Sequence, residues 1–339
     1  MHTTYKNHCN DPDCQHDHHD LAGGTQINDA AAPFVRQRRV YVYSPSGAVQ
    51  DKAAILRGAR YLKKAGYEVT LDEAVFARHT RFAGDHACRL AAIERAAASG
   101  ADVALISRGG YGLNHLLAEI DYGRLAQSID AGTQWMGFSD FTALQLALLA
   151  KTGRISWAGV SLGVDLGAKE GPDDISVACF EDVAFGVGEG AGWRIRKDSA
   201  VYAGTDIEGA TLWGGNLAVL ASMIGTPYFP QVEGGILFLE DVAESPYKIE
   251  RMLIQLEQAG VLAAQQAIVL GQFTHANVTP HDRGFNLTSV VNALRERLRI
   301  PVLTQLPFGH VRTKVCLPVG ATVDLQVSER EALLVWGHL

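Results

Sequence analysis

The sequence is short of three things, and each shortage narrows its reading. No apolar run reaches the roughly 18 residues needed to span a bilayer, so no membrane-spanning helix is expected. Basic residues are outnumbered, 30 Lys and Arg against 37 Asp and Glu, for a net charge of −7. That balance argues against nucleic acid or an anionic membrane as a partner, because both favour a basic face. Cysteine is scarce: Cys9, Cys14, Cys88, Cys179 and Cys316 make an odd, scattered set, which is no disulfide framework and fits a reducing compartment. No apolar stretch follows a basic one at the N-terminus, so no secretory signal is expected and the cytoplasm is the default. What is present is 339 residues, 47% hydrophobic and 20% charged, enough for a globular chain with one or two cores.

Residues 1–36 stand apart. His2, His8, His16, His18 and His19 crowd together with Cys9, Cys14, Asp11, Asp13, Asp17 and Asp20. With so few apolar residues the segment cannot bury enough surface to fold alone, so a disordered tail is expected. Imidazole and thiolate can bind zinc or nickel, but the spacing matches no regular zinc pattern, and no metal site is assigned.

From Arg39 the pattern is α/β. Strand-like Val40–Tyr43 is followed by a helix with Ile55, Leu56, Ala59 and Leu62 on one face and Gly66 at its end. Strand-like runs at Tyr67–Leu71, Val103–Ile106, Gln134–Phe138 and Ile155–Val160 alternate with helix-like ones. Such alternation predicts a parallel sheet covered on both faces, with ligands beyond the carboxyl ends of its strands. An N-terminal α/β domain is expected over 37–185 and a glycine-rich flexible connector over 186–195. A C-terminal domain is expected over 196–339, opening with β-like alternation from Trp193 to Tyr202.

Three chemistry-bearing groups fall at strand ends or loops. Gly137-Phe138-Ser139-Asp140 is a strand-to-helix corner. A serine there is pushed out of the sheet beside a helix N-terminus, where free N–H groups favour developing negative charge. The same residues also read as a helix-capping pair. Ser107-Arg108-Gly109-Gly110-Tyr111-Gly112 ends an earlier strand, with glycines that let backbone N–H groups approach a ligand and an arginine fork suited to a carboxylate or phosphate. A tight turn with an exposed arginine is the plainer reading. Glu240 ends the buried run Ile236–Leu239, and His310 sits in a Gly/Pro-flanked loop. Alone, each is also what a structural ion pair or a surface histidine looks like. Together Ser139, His310 and Glu240 supply nucleophile, base and orienting carboxylate. Phe141 takes the place of the second glycine of G-x-S-x-G, which sets the corner apart from a standard α/β-hydrolase elbow.

The blocks Arg108–Gly112, Gly137–Asp140, Gly214-Gly215-Asn216-Leu217, Phe238–Val242 with Pro246-Tyr247, and Leu306–His310 closely resemble the LD-carboxypeptidase family. This is the muramoyl-tetrapeptide carboxypeptidase group, which also includes microcin C immunity peptidases. The blocks occur in family order. The resemblance implies an N-terminal parallel-sheet domain like class I glutamine amidotransferases, a C-terminal swivelling β/α domain, and a homodimer. It implies Ser139 as nucleophile, Glu240 as orienting carboxylate, His310 as base, and the N–H groups of Gly110 and Asp140 as oxyanion hole. Arg108 is expected to meet the substrate's terminal carboxylate, and Trp213 and Asn216 to face substrate. Trp213 stands either as a ring that stacks a nucleobase or as a packed aromatic. The implied reaction removes the terminal D-alanine from cytoplasmic murein tetrapeptides, with no metal or cofactor. Alternatives are an immunity-type amidase acting on peptidyl- or aminoacyl-nucleotide conjugates, and a non-catalytic ligand-binding module using the same cleft.

Overall fold

A computed structural model describes residues 37–339. The His/Cys-rich tail, with its expected disorder and metal-binding chemistry, lies outside the described residues. The first half alternates strands β1 (Arg39–Tyr43), β2 (Glu68–Leu71), β3 (Val103–Ile106), β4 (Gln134–Gly137) and β5 (Ser156–Ala158) with helices α1 (Lys52–Lys64), α2 (His86–Ala98), α3 (Tyr122–Asp130) and α4 (Thr142–Thr152). Strand period sends Val40, Val42, Val103 and Leu105 to one face and Tyr43, Ala104 and Ile106 to the other, and all are buried. That is the pattern of a parallel sheet covered on both sides.

Helix α1 begins where the Asp51 side chain accepts the Ala54 N–H at 3.1 Å, and Gly66, at φ 96°, follows its end. It buries Ile55, Ala59 and Leu62. Leu56, expected on that face, is 47% exposed, because one residue along a helix is a turn of about 100°.

The parallel strands run in the order β2-β1-β3-β4-β5. The order reverses at β1 and β3, so their carboxyl ends diverge into a crevice suited to ligands. The strand-end serines of this crevice, Ser44 and Ser107, share a hydrogen bond of 2.6 Å.

Helix α5 (Asp174–Phe185) ends the first half at Gly186, φ 67°. The expected connector is not all loop: Gly190–Arg194 forms β6. Ala191 and Trp193 alternate inward, 8% and 7% exposed, and a side chain at Gly190 would come within 2.6 Å of the Leu334 carbonyl. The alternation read through Tyr202 stops at Arg194, and Lys197–Tyr202 winds as a 3-10 helix. There follow β7 (Asp206–Asn216), α6 (Leu217–Ser222), β8 (Ile236–Val242), α7 (Pro246–Gln258), β9 (Ala267–Thr274), α8 (Leu287–Arg297), β10 (Val302–Leu303), β11 (Leu317–Val319), β12 (Thr322–Val327) and β13 (Glu331–Val335).

The second sheet has the order β10-β9-β8-β7-β12-β13-β6. It is parallel from β10 to β7 and antiparallel beyond. Strand β11 does not join it: it pairs antiparallel with β5, at the edge of the first sheet. One core joins the halves, with Trp135, Phe141 and Leu144 in the same cluster as Trp213, Leu217, Leu237 and Leu239. Among the described residues no helix is long and apolar enough to cross a membrane.

Candidate active site

Ser139 lies between β4 and α4, on a 3-10 turn of three residues. Its φ is 64°, a left-handed conformation that costs a non-glycine residue about 1–3 kcal/mol and persists only where the surroundings impose it. Those surroundings are glycines. A Cβ on Gly109 would sit 2.8 Å from the Ser139 Cβ and 3.0 Å from its Oγ, and one on Gly137 would sit 2.7 Å from Ile106 and Phe141. Gly137 thus makes room for the Phe141 ring, which is 1% exposed, and the bulky residue at the expected glycine position packs inward rather than blocking the serine.

Asp140 does not cap its own helix. Its carboxylate, 2% exposed, crosses to accept the Leu113 N–H at 2.9 Å and so ties the nucleophile's turn to the glycine loop. Burial pushes its carboxyl above the usual carboxylate range, against the pull of the N–H groups of Leu113 and Gly112. The glycine loop is also held from behind by Arg89, 1% exposed, whose Nη1 donates to the Gly112 carbonyl at 2.8 Å. Nothing in the sequence marked Arg89, which reads as an ordinary residue of an amphipathic helix.

Glu240, at the emerging end of β8, is fully buried. Its Oε2 lies 2.8 Å from His310 Nδ1, and its Oε1 accepts from Asn216 Nδ2 at 3.1 Å. His310 Nε2 lies 3.1 Å from Ser139 Oγ. A carboxylate in this environment accepts, so Nδ1 carries the proton and Nε2 is left to accept from the serine hydroxyl. The His310 loop approaches this closely because of Gly309, at φ 134°. A side chain there would come within 2.8 Å of the Gln272 carbonyl and 3.1 Å of Glu240 Oε2.

Trp213 and Asn216, expected to face substrate, are both buried. Trp213 is 1% exposed. Its Nε1 donates to Gln265 Oε1 at 2.8 Å and its ring packs edge-on against Phe229, so it has no free face for stacking. β-strand alternation at β7 turns it into the shared core. Asn216 is 5% exposed and braces the carboxylates, donating to Glu240 and, at 2.9 Å, to Asp241 Oδ1. Its own N–H donates to Thr142 Oγ1 at 3.0 Å, which links β7 to the first turn of the nucleophile's helix. Asp241 also accepts the N–H groups of Ala218 and Val242, yet burial raises its carboxyl to about 6.

Arg108 is half-buried. Its Nη1 donates to the Ala48 carbonyl at 2.9 Å, and among the described residues no carboxylate pairs with it. A Cβ on Gly110 would lie 3.7 Å from its Nη2, so the guanidinium stands beside the loop that faces Ser139. Serine, imidazole and carboxylate in hydrogen-bonded series can transfer a proton from the hydroxyl to the ring as the oxygen attacks a carbonyl. The Asp140 N–H lies in the first helical turn after Phe138, where backbone N–H groups have no intrahelical partner. Among the described residues no group of three or more His, Cys, Asp or Glu could hold a metal ion.

Comparison with known proteins bears on this geometry. Residues 40–159 match the LD-carboxypeptidase N-terminal domain, and residues 209–325 match the LD-carboxypeptidase C-terminal domain. A putative carboxypeptidase of Synechocystis sp. is 31% identical over 304 residues, which cover 85% of this chain and 91% of that protein. The crystal structure of muramoyltetrapeptide carboxypeptidase from Oxalobacter formigenes superposes with a TM-score of 0.79 at 37% identity, covering 88% of this chain and 98% of that one. Microcin C7 self immunity protein MccF, in complex with aspartyl sulfamoyl adenosine, shares the fold with a TM-score of 0.77 at 21% identity, covering 90% and 98%.

Proposed function

The chain belongs to the LD-carboxypeptidase family, and on that premise we propose that it is a serine carboxypeptidase that removes the terminal D-alanine from murein tetrapeptides. Ser139 attacks the last peptide carbonyl. His310 Nε2 takes the hydroxyl proton, while Nδ1 keeps its proton toward Glu240, whose negative charge stabilises the imidazolium. The tetrahedral oxyanion is received by the N–H groups of Gly110 and Asp140. As the intermediate collapses, His310 returns the proton to the leaving amine of D-alanine, and water then releases the acyl group by the same steps in reverse. No metal takes part.

The observation that carries this reading is the single imidazole bridging Ser139 at 3.1 Å and a fully buried Glu240 at 2.8 Å. Arg108, beside the glycine loop and without a carboxylate partner among the described residues, is the group that receives the substrate's terminal carboxylate. Holding that end places the last peptide bond, and no other, over Ser139. Trp213, the aromatic named for the nucleotide-conjugate alternative, is buried, which favours the murein reading. We place the enzyme in the cytoplasm as a homodimer, which fractionation and sedimentation would check.

The test is release of D-alanine from a purified murein tetrapeptide. Wild type turns it over, and Ser139→Ala and His310→Ala each lose at least about 10³-fold in kcat with circular dichroism unchanged, because such residues act as a unit. Near-normal kcat in either folded variant rejects the triad. Tight binding of the peptide without turnover by wild type would make the protein a binding module.

A further inference from the structure

Lys314 is a buried charge for which the reaction above has no use. Its side chain has no exposure, and Nζ donates to Asp165 Oδ1 at 2.6 Å. Taking an ammonium and a carboxylate out of water costs more than their attraction returns unless the geometry is close and the remaining lone pairs are filled. Here they are filled: Asp165 Oδ2 accepts the Ser161 N–H at 2.7 Å and its hydroxyl at 3.1 Å. Asp165 stands on a short π-helix, Leu162–Leu166, a distortion frequent at functional sites.

Two observations direct this pair at the reaction. Lys314 Nζ lies 3.8 Å from the centroid of the Phe138 ring, and the same ring lies 5.0 Å from the His310 imidazole. Phe138 is the residue immediately before Ser139. Lys314 is also four residues beyond His310 on one loop. That loop is fastened by Thr313 Oγ1 donating to Asp173 at 2.8 Å and by the Lys314 N–H donating to Ser176 Oγ at 2.9 Å. Phe138, His310 and Lys314 all line one cavity of about 280 Å³.

We propose that Lys314, held by Asp165, is a positioning residue for the nucleophile and the base. Its ammonium grips the negative face of the Phe138 ring. Through the ring it fixes the backbone that carries Ser139 at a positive φ and the wall against which His310 stands. The ion pair is the anchor, Phe138 the lever, and the Ser139–His310 hydrogen bond the quantity controlled. The proposal rests on the catalytic reading of Ser139 and His310.

The test removes the charges together. Lys314→Met with Asp165→Asn keeps the volume and leaves no lone buried ion. Two rates are measured well below the melting temperature: peptide turnover, and the rate at which a small sulfonyl fluoride modifies Ser139, with Ser139→Ala as background. The expected result is a 10- to 100-fold fall in kcat with KM within threefold, and a comparable fall in the sulfonylation rate. A merely structural pair would lower the melting temperature and leave both rates within twofold of wild type, which overturns the proposal. Should the double variant not fold, Phe138→Leu decides. It keeps the ion pair and removes the ring face, so unchanged rates reject the lever and a matching loss supports it. If wild type modifies at Ser139 but does not cleave the peptide, the substrate reading fails, and the sulfonylation rates still judge the positioning role.

Discussion

At the scale of single residues, electrostatics separates side chains that look alike in the sequence. Arg108 and Arg89 are both arginines near the glycine loop. Arg89 donates Nη1 to the Gly112 carbonyl inside the protein, whereas Arg108, held by one carbonyl, keeps donors for a ligand. Arg108→Lys is expected to cost about 1.5–3 kcal/mol in kcat/KM, the range for a charge-assisted hydrogen bond, because lysine lacks the planar fork. Wild type should also prefer a C-terminal acid over the amide, and the variant should discriminate less. An acid-to-amide ratio identical in the two enzymes assigns Arg108 to bracing the loop. Asp241 has its folded value raised to about 6 by burial, so the folded state binds the proton more tightly than the unfolded chain. The cost of its charge is therefore present above about pH 6 and relieved as the pH falls toward 4, by up to about 3 kcal/mol. Urea titrations of wild type and Asp241→Asn at pH 7 and 4.5 should show the difference in stability moving in favour of wild type at the lower pH. A pH-independent difference would refute this.

At the scale of elements, the strand-to-helix corner is decided by what glycines leave empty. Gly109 has no positive φ, so an alanine suits its backbone, but its methyl would land 2.8 Å from the Ser139 Cβ. Gly109→Ala should keep the fold and lower kcat by roughly 10²-fold, the scale of an ångström-sized misplacement. Turnover within a few-fold of wild type, with the melting temperature lowered instead, would mean the serine is not held from this side. Strand and helix identities are legible because the apolar periods are local: β1, β3, β4 and α4 lie where the pattern puts them. So is the corner at Ser139, since Gly137 and a following apolar helix are contiguous. What the sequence hid depends on partners far along the chain. The faces of Leu56 and Trp213 are decided by the facing element. Nothing local to Asn216 says that Glu240 and Asp241 lie beside it. Asp140 looks like a cap in the sequence, but its partner, Leu113, comes from the preceding loop. The strand at Gly190–Arg194 was masked by glycines that read as flexibility and serve instead to let β13 approach.

At the scale of the whole molecule, the nucleophile comes from the first sheet and the carboxylate and base from the second. Thr142 and Asn216 bind them together, and one apolar cluster runs through both. Unfolding should therefore be a single cooperative transition, with turnover, tryptophan fluorescence and circular dichroism lost at the same urea concentration. Two resolved transitions would show that the halves stand separately. Strand β11 tightens that dependence. It is encoded late, yet Leu317, Pro318 and Val319 pair with Ala158, Trp157 and Ser156. Recombination between two related genes anywhere between these segments hands one parent's β11 to the other parent's β5. Where the crossover falls before His310, such hybrids take Ser139 from one parent and His310 from the other, with the two halves meeting at the mixed β5–β11 edge. Chimaeras that exchange β5 and β11 together are therefore expected to keep more activity than those that exchange one.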